Sequence, residues 1–362
     1  MRLLYLYPEE WTGHRAREVH TLSTCISLAQ NGLEVTLVTA GGEAALRSHL
    51  REVAGRAEEP GLRLVALSRR LGLIRSATIF GFHFRAWLQL QTSFDAGYLI
   101  HLKGASMLAR AAIPYLYEAH EVFAETPQKD AAEQASLAAL EKEALSAAAW
   151  RVATSRPLAL ALRLAYELPD DFAIVPNAGL PPLRESVASP DGPLVYAGSI
   201  ADWKGLDVVI QASRAADIPL KIIGGSQEEW KRLSGQLETN HVEWQPRVGL
   251  RDLAEALTGA RAGLIPTLAD TPSGRYSCPM KLFDYARCGL PVLSTALPSL
   301  QSLDVGSWCV QVEASTAEAW TEAMITFRSH AVQGETARAW AGVHTWRERA
   351  QVLVRLLFAR RP

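Results

Sequence analysis

Residues 272–295 read PSGRYSCPMKLFDYARCGLPVLST, and their types and spacing suit the capture of an anion. Pro279 opens a helical run, Met280 to Cys288, which Gly289 stops before an apolar, strand-like run. Proline suits a first helical position, where its missing N–H would lack a partner anyway, and glycine suits the position just past the end. The unpaired N–H groups of a helix start, together with its dipole, make an anion site. Cys278 and Met280 supply backbone donors there, and Pro279 supplies none. Tyr276 and Ser277 share the loop, Lys281 and Arg275 add positive charge, and Asp284, one turn in, reaches toward a ribose hydroxyl. A diphosphate beside a ribose is a nucleotide. The plainer alternative is an ordinary βα connection with Asp284 on a solvated face.

Three other places carry candidate chemistry. In YAGSIADWKG (196–205), Gly198 ends a strand, Ser199 follows, and Lys204 stands near the start of the next helix. A lysine there serves a phosphate as a point charge, the alternative being a solvated surface lysine. His120, in LYEAHEVF (116–123), directly follows a strand. Imidazole can bond a sugar hydroxyl or move a proton near neutral pH, although a lone histidine is as readily structural. Glu118 and Glu121 flank it without forming the carboxylate pair of a glycoside hydrolase. Gly13, in WTGHRAREVH (11–20), lets backbone approach a ligand between the first strand and the first helix. It belongs to no G-x-G-x-x-G fingerprint, and the chain holds no P-loop, H-E-x-x-H or G-x-S-x-G motif.

Positioning such loops takes alternating strands and helices. The chain alternates in this way, which predicts α/β with a mostly parallel sheet. Strands are expected at 2–7, 33–39, 96–102, 113–119, 151–155 and 172–177, then at 194–198, 220–224, 241–244, 262–266 and 291–295. Helices are expected at 14–31, 130–149 and 280–288. Residues 178–193, AGLPPLRESVASPDGP, read as a linker. The 362 residues therefore divide into domains 1–180 and 190–345, with the amphipathic C-terminal helix, 346–362, joining the first. Ligands in such sheets bind beyond the carboxyl ends of the strands, and two doubly wound domains can face those ends across a central cleft.

Composition is that of a globular protein, 48% hydrophobic and 21% charged, and a net charge of −1 argues against a nucleic-acid partner. Arginine accumulates over 44–90, as Arg47, Arg51, Arg56, Arg63, Arg69, Arg70, Arg75 and Arg85 against Glu52, Glu58 and Glu59. Two readings stand for this stretch. In one, the arginines meet a lipid surface and Phe80, Phe82, Phe84 and Trp87 a lipid-linked acceptor; in the other, core aromatics lie beside solvated arginines. Four scattered cysteines without C-x-x-C spacing indicate neither a metal site nor a disulfide framework and fit a reducing cytoplasm. The opening MRLLYLYPEEW has too short an apolar run for a signal-peptide core, and no apolar stretch is long enough to span a bilayer. The expected location is cytoplasmic, with a peripheral place at the inner membrane face left open.

Taken in order, these features resemble glycosyltransferase family 4, the retaining enzymes of the GT-B fold. The likeness runs through YAGSIADWKGLDVVIQA, LKIIGG and PMKLFDYARCGLPVLST in the second half. GHRAREVHTLSTCISLAQNGLEVTLVT, YEAHEVF, VPNAGL and the tryptophan-led last helix support it. The resemblance implies two Rossmann-like domains and a retaining, hexosyltransferase-like enzyme of cell-surface glycan or glycolipid synthesis. It implies a UDP- or GDP-sugar donor held mainly by the C-terminal domain and a carbohydrate or lipid-linked acceptor held mainly by the N-terminal one. No metal and no cofactor are expected if the lysine and the helix-start amides suffice, and no Asp-x-Asp metal motif stands out. By the same resemblance Lys204 binds the donor diphosphate, Asp284 the ribose, as the second acid of an E-x7-E motif, and His120 the donor sugar, while Gly13 lies beside the diphosphate. Lys204 and His120 would be the catalytic residues. Two positions depart from the pattern. Tyr276, which bonds but carries no charge at pH 7, replaces the first acid, and Ser199 replaces an arginine. Lys281 or Arg275 is expected to supply the missing cation. Two rival readings are a GT-B-fold sugar-nucleotide epimerase, whose acid/base carboxylates have no place here, and a non-catalytic nucleotide-sugar-binding partner, motivated by the two departures.

Overall fold

The computed structural model describes residues 1–13, 15–126, 129–179, 188–328 and 333–359. It separates into two compact units, Met1–Pro176 with Trp346–Pro362, and Asn177–Thr345. The first unit runs β1 (Arg2–Tyr7), α1 (Ala16–Gln30), β2 (Glu34–Thr39), α2 (Glu43–Ala54), β3 (Leu62–Ala66), β4 (Arg70–Leu71), β5 (Ile74–Arg75) and α3 (Ala77–Gln89). It continues with β6 (Ala96–Leu99), α4 (Leu102–Arg110), β7 (Tyr115–Ala119), α5 (Ala131–Ser146), β8 (Trp150–Ala153), α6 (Arg156–Tyr166) and β9 (Ala173–Ile174). The second unit runs β10 (Leu194–Ala197), α7 (Leu206–Ala215), β11 (Leu220–Ile223), α8 (Gln227–Ser234), β12 (Val242–Gln245), α9 (Leu253–Ala256) and β13 (Ala262–Ile265). It closes with α10 (Pro272–Tyr276), α11 (Met280–Arg287), β14 (Val292–Thr295), α12 (Pro298–Gln301), β15 (Cys309–Val312), α13 (Ala317–Arg328) and α14 (Gly334–Gly342). The last helix, α15 (Trp346–Ala359), returns to the first unit.

Both main sheets are parallel and doubly wound. The first has strand order β3-β2-β1-β6-β7-β8-β9 and the second β12-β11-β10-β13-β14-β15. A parallel sheet is covered on both faces, so its central strands are continuously apolar. Leu3 to Tyr7 of β1 are accordingly all buried. In the first unit Leu3, Tyr5 and Leu37 pack with Leu22 and Ile26 of α1 and with Leu353 and Leu357 of α15. In the second, Val195, Ile265, Phe283 and Tyr285 fill one core cluster, and Tyr196, Ile222, Leu264, Val209 and Trp320 fill the other.

Several elements differ from the sequence reading. Pro279 is the cap of α11, with extended backbone, rather than its first residue. Residues 272–276, expected as open loop, form α10. There Pro272 takes the first turn and Thr271 Oγ1 accepts from Gly274 N at 3.1 Å. The strand expected at 96–102 stops at Leu99, and α4 begins at Leu102. The strand expected at 172–177 shrinks to Ala173–Ile174, because Pro176 has no N–H for the ladder. Of the expected linker, residues 180–187 lie outside the described residues. Among the described residues no helix is long and apolar enough to cross a membrane.

Candidate functional site

In the second unit β10 pairs with both β11 and β13, so the crossovers diverge on either side of it. The loops after β10 and β13 therefore border one notch at the carboxyl ends of the strands, where open α/β sheets take ligands. Three glycines shape that notch. Asp202–Lys204 form a 3₁₀ turn closed by Gly205 at φ +62°, and a Cβ there would meet Pro266 O at 2.1 Å. Leu268 N donates to Trp203 O at 3.1 Å, which ties the two loops together. A Cβ at Gly263 of β13 would fall 2.4 Å from the Tyr285 ring, so the glycine makes room for that ring. Tyr285 Oη in turn accepts from Ala197 N at 2.7 Å, which fixes α11 against the end of β10. Gly179 crosses the start of α11 so closely that a Cβ would lie 2.8 Å from the Phe283 carbonyl carbon. Beside it, Asn177 Nδ2 donates to Cys278 O at 2.5 Å.

Lys204 and Lys281 come together here. Lys281 Nζ sits 3.7 Å from the centroid of the Tyr196 ring, a cation–π contact. Gly198 keeps that space open, since a Cβ on it would lie 3.0 Å from Nζ. Burial first, and then the charge of Lys204, hold the Lys281 pKa well below the usual lysine range, and Asp284 offsets this only in part. Burial lowers Lys204 as well. Neither ammonium group donates a hydrogen bond or forms an ion pair among the described residues. Met280 and Lys281 begin α11, whose first amides have no intrahelical acceptor. The notch thus gathers positive charge that Asp284 answers only in part and that an anion would relieve.

The other predicted residues are placed as follows. Asp284 is half-buried one turn into α11, and Met280 is half-buried at its first position. Arg275 is exposed. Its Nη1 donates to Tyr276 Oη at 3.2 Å and its guanidinium lies 5.0 Å over that ring. Lys281, not Arg275, is therefore the cation beside Lys204. Ser199 is exposed, and its carbonyl accepts from Tyr196 Oη at 2.7 Å. Ser277 Oγ donates to Ser273 O at 2.5 Å, while its carbonyl accepts from Ser299 Oγ at 2.7 Å. Cys278 is buried.

His120 lies in the first unit, after β7. Its Nε2 is 3.0 Å from Glu118 Oε1, and Nε2 of His20 on α1 is 3.1 Å from the same oxygen. The two rings meet edge to face at 4.4 Å. Glu118 is fully buried and also accepts from Tyr98 Oη and from Arg349 of α15. Arg349 further bonds Pro176 O at 3.0 Å and Thr24 Oγ1 at 3.2 Å. Burial alone would raise the Glu118 pKa, but the Arg349 guanidinium, the largest opposing influence, outweighs it and holds the carboxylate ionised. Burial lowers His20 to about 3, so its ring is neutral. His20, Glu118 and His120 have the spacing of metal ligands. Arg349 already occupies the shared oxygen, however, and a divalent ion there would face a guanidinium. Gly13 turns the loop after β1 at φ +77°, and that loop is held by Glu18, whose carboxylate accepts from Thr12 N at 2.8 Å and Arg15 N at 3.1 Å.

Sequence reasoning missed Tyr196 and Tyr285 as walls of the lysine notch, and His20, Tyr98 and Arg349 as the surroundings of Glu118. The available signals were weak: a tyrosine within an apolar strand, and an arginine three residues after Trp346 on an amphipathic helix.

Residues 192–330 match the sequence profile of the family described as Glycosyl transferases group 1. No curated protein sequence matches significantly. Among solved structures, sucrose-phosphate synthase from Thermosynechococcus elongatus is 17% identical with a TM-score of 0.75, covering 99% of both chains. Anabaena HepE, solved in complex with UDP and glucose, is 14% identical with a TM-score of 0.73, covering 99% of this chain and 100% of its own. WaaG, a glycosyltransferase involved in lipopolysaccharide biosynthesis, is 15% identical with a TM-score of 0.67 over 99% and 100%. These likenesses establish the fold, two parallel-sheet α/β units of the GT-B type.

Proposed function

We propose that this chain, whose second unit carries the Glycosyl transferases group 1 domain, moves a sugar from a nucleoside-diphosphate donor to a hydroxyl acceptor. One observation carries the reading: two half-buried lysines and the start of α11 converge at the switch point of the second sheet, with their charge offset only in part by Asp284. As the sugar–phosphate bond breaks, negative charge grows on the leaving diphosphate. Lys204, Lys281 and the first amides of α11 would stabilise it, which is electrostatic catalysis by preorganised donors. Asp284 would take the ribose. The acceptor hydroxyl would attack the face that the diphosphate leaves and pass its proton to a departing phosphate oxygen, giving retention without a protein base. His120 would serve the sugar, with Glu118 fixing its ring. Transfer of this kind needs no metal, because the lysines supply the positive charge. The setting we favour is synthesis of a cell-surface glycan or glycolipid.

UDP-glucose is the first probe, because HepE was solved with UDP and glucose. A thermal-shift panel of UDP-, GDP-, ADP- and dTDP-sugars identifies the donor by mass action. With that donor and an acceptor library, Lys204→Ala should lower kcat by on the order of 10²-fold or more. If no nucleoside diphosphate raises the melting temperature, the reading fails. An epimerised donor formed without acceptor would replace transfer with epimerisation, and binding without turnover would favour a non-catalytic partner.

A further inference from the structure

The first unit carries a feature that the nucleotide reading does not use. β4 and β5 form a two-stranded hairpin separate from the main sheet, pairing Arg70 with Arg75 and Leu71 with Ile74 around a Gly72-Leu73 turn. Gly72 adopts φ +59°, as such a tight turn requires. Leu71 and Ile74 are each 67% exposed and Leu73 is fully exposed. A ladder of two pairs does not hold itself together in water. Its base does the holding: Ser76 N donates to Arg69 O at 3.0 Å, His83 Nδ1 lies 2.8 Å from Ser68 O, and Ser76 Oγ caps α3 by accepting from Ile79 N at 3.2 Å. The result is a fixed protrusion with three large aliphatic side chains at its tip.

Charge completes the picture. Residues 61–94 contain Arg63, Arg69, Arg70, Arg75 and Arg85 and no aspartate or glutamate. Arg75 pairs with Glu10, whereas Arg70 and Arg85 are exposed. Phe82, on α3, is 61% exposed. The aromatics singled out with it are otherwise core. Phe80 and Phe84 are buried, and Trp87 packs between Phe84 and Phe94 with ring centroids 6.2 and 6.1 Å away.

We propose that this hairpin is an insertion tip for an anionic bilayer: Leu71, Leu73 and Ile74 enter the acyl boundary while Arg70 and Arg85 meet lipid phosphates. Aliphatic side chains gain by leaving water, and guanidinium groups gain at the negative headgroup layer. An aliphatic tip flanked by arginines and free of acids fits that layered surface better than it fits a protein groove lined with hydrogen-bonding groups. The inference does not rest on the transfer reading and is tested apart from it.

The test is co-sedimentation of the full chain with vesicles of phosphatidylcholine alone or mixed with phosphatidylglycerol. The wild type should sediment with the mixed vesicles only, and less as salt rises. Leu73→Glu with Ile74→Glu should weaken this by about 100-fold or more. Arg70→Ala with Arg85→Ala should weaken it by about 10-fold and flatten the salt dependence. Both variants should keep the wild-type melting temperature, because the substituted side chains are exposed. Failure of the wild type to bind mixed vesicles overturns the proposal, as does undiminished binding by the glutamate variant. Tip-dependent dimerisation seen by light scattering without vesicle binding would equally overturn it, with a second copy as the partner.

Discussion

Lys281→Met offers the sharpest test of the notch. In the unliganded protein the Lys281 pKa lies well below its unfolded value, through burial and then the neighbouring Lys204. A base with a depressed pKa binds fewer protons folded than unfolded, so its stability cost is full below the folded pKa and vanishes above the unfolded one. Replacing the ammonium group with a thioether of similar length removes that cost. An unpaired buried donor costs about 1–3 kcal/mol. The variant should therefore be more stable without ligand at pH 7, by about 2–4 °C in Tm for each kcal/mol in a chain of this size.

Binding should move the opposite way. A phosphate oxygen about 4 Å from Nζ contributes about 4 kcal/mol at an effective dielectric of 20, roughly a thousandfold in proton affinity. Lys281 should then take up a proton when a nucleoside diphosphate binds at mildly alkaline pH. Isothermal titration in buffers of different ionisation enthalpy measures that uptake as the slope of binding enthalpy against buffer enthalpy. We expect a positive slope in the wild type and none in Lys281→Met, with affinity lowered by about 10- to 100-fold for the lost charge-assisted contact. A zero slope in the wild type across the alkaline range, with binding intact, would refute the assignment of Lys281 to the phosphate. So would an equal slope in the variant.

Two other outcomes follow from buried charges in the first unit. Arg349→Met should cost about 3–5 kcal/mol in urea titration, because it leaves Glu118 buried and ionised without its guanidinium. Glu118→Gln combined with it should recover most of that loss. Glu141, fully buried on α5, accepts from Tyr166 Oη at 2.8 Å and Phe123 N at 3.0 Å, and burial raises its pKa to about 7. A raised carboxyl costs nothing below its unfolded pKa and its full penalty above the folded one, so Glu141→Gln should leave stability unchanged near pH 4.5 and raise it by up to about 3 kcal/mol at pH 8.5.

What could be read in the sequence was whatever a single segment encodes. β1, β2, β10, β11 and β13 were legible as continuous apolar runs because both faces of a parallel sheet are buried. α11 was legible from Pro279 and Gly289, and Lys204 from its place after β10. The short elements were not. The hairpin at 70–75 has exposed aliphatics where a strand would show alternation, and α10 is too brief for any period. Contacts across the sequence were also hidden. Lys281 meets Tyr196, and Arg349 meets Glu118 from 231 residues away, only once the sheets have fixed which side chains share an end. The choice of Lys281 over Arg275 as the second cation needed the orientation of α11 as well as the charge count.

The two polar centres differ in a way that bears on where a ligand goes. Around Glu118 every charge is answered within the first unit. The carboxylate accepts from Arg349 and Tyr98, and His20 is kept neutral by burial. Such a network loses its own bonds if an ion intrudes on the carboxylate. In the second unit Gly205 and Gly263 shape a notch into which two lysines are pressed, with only partial relief from Asp284. That arrangement destabilises the empty protein and has no structural return, since Tyr196 and Tyr285 would pack as well against a methionine. Groups held at such a cost, in a cleft and away from their ordinary pKa, are those expected to meet a ligand. An anion in the notch would answer the positive charge that Asp284 leaves. The unbalanced centre, rather than the histidine-rich one, is therefore where the diphosphate should be sought first.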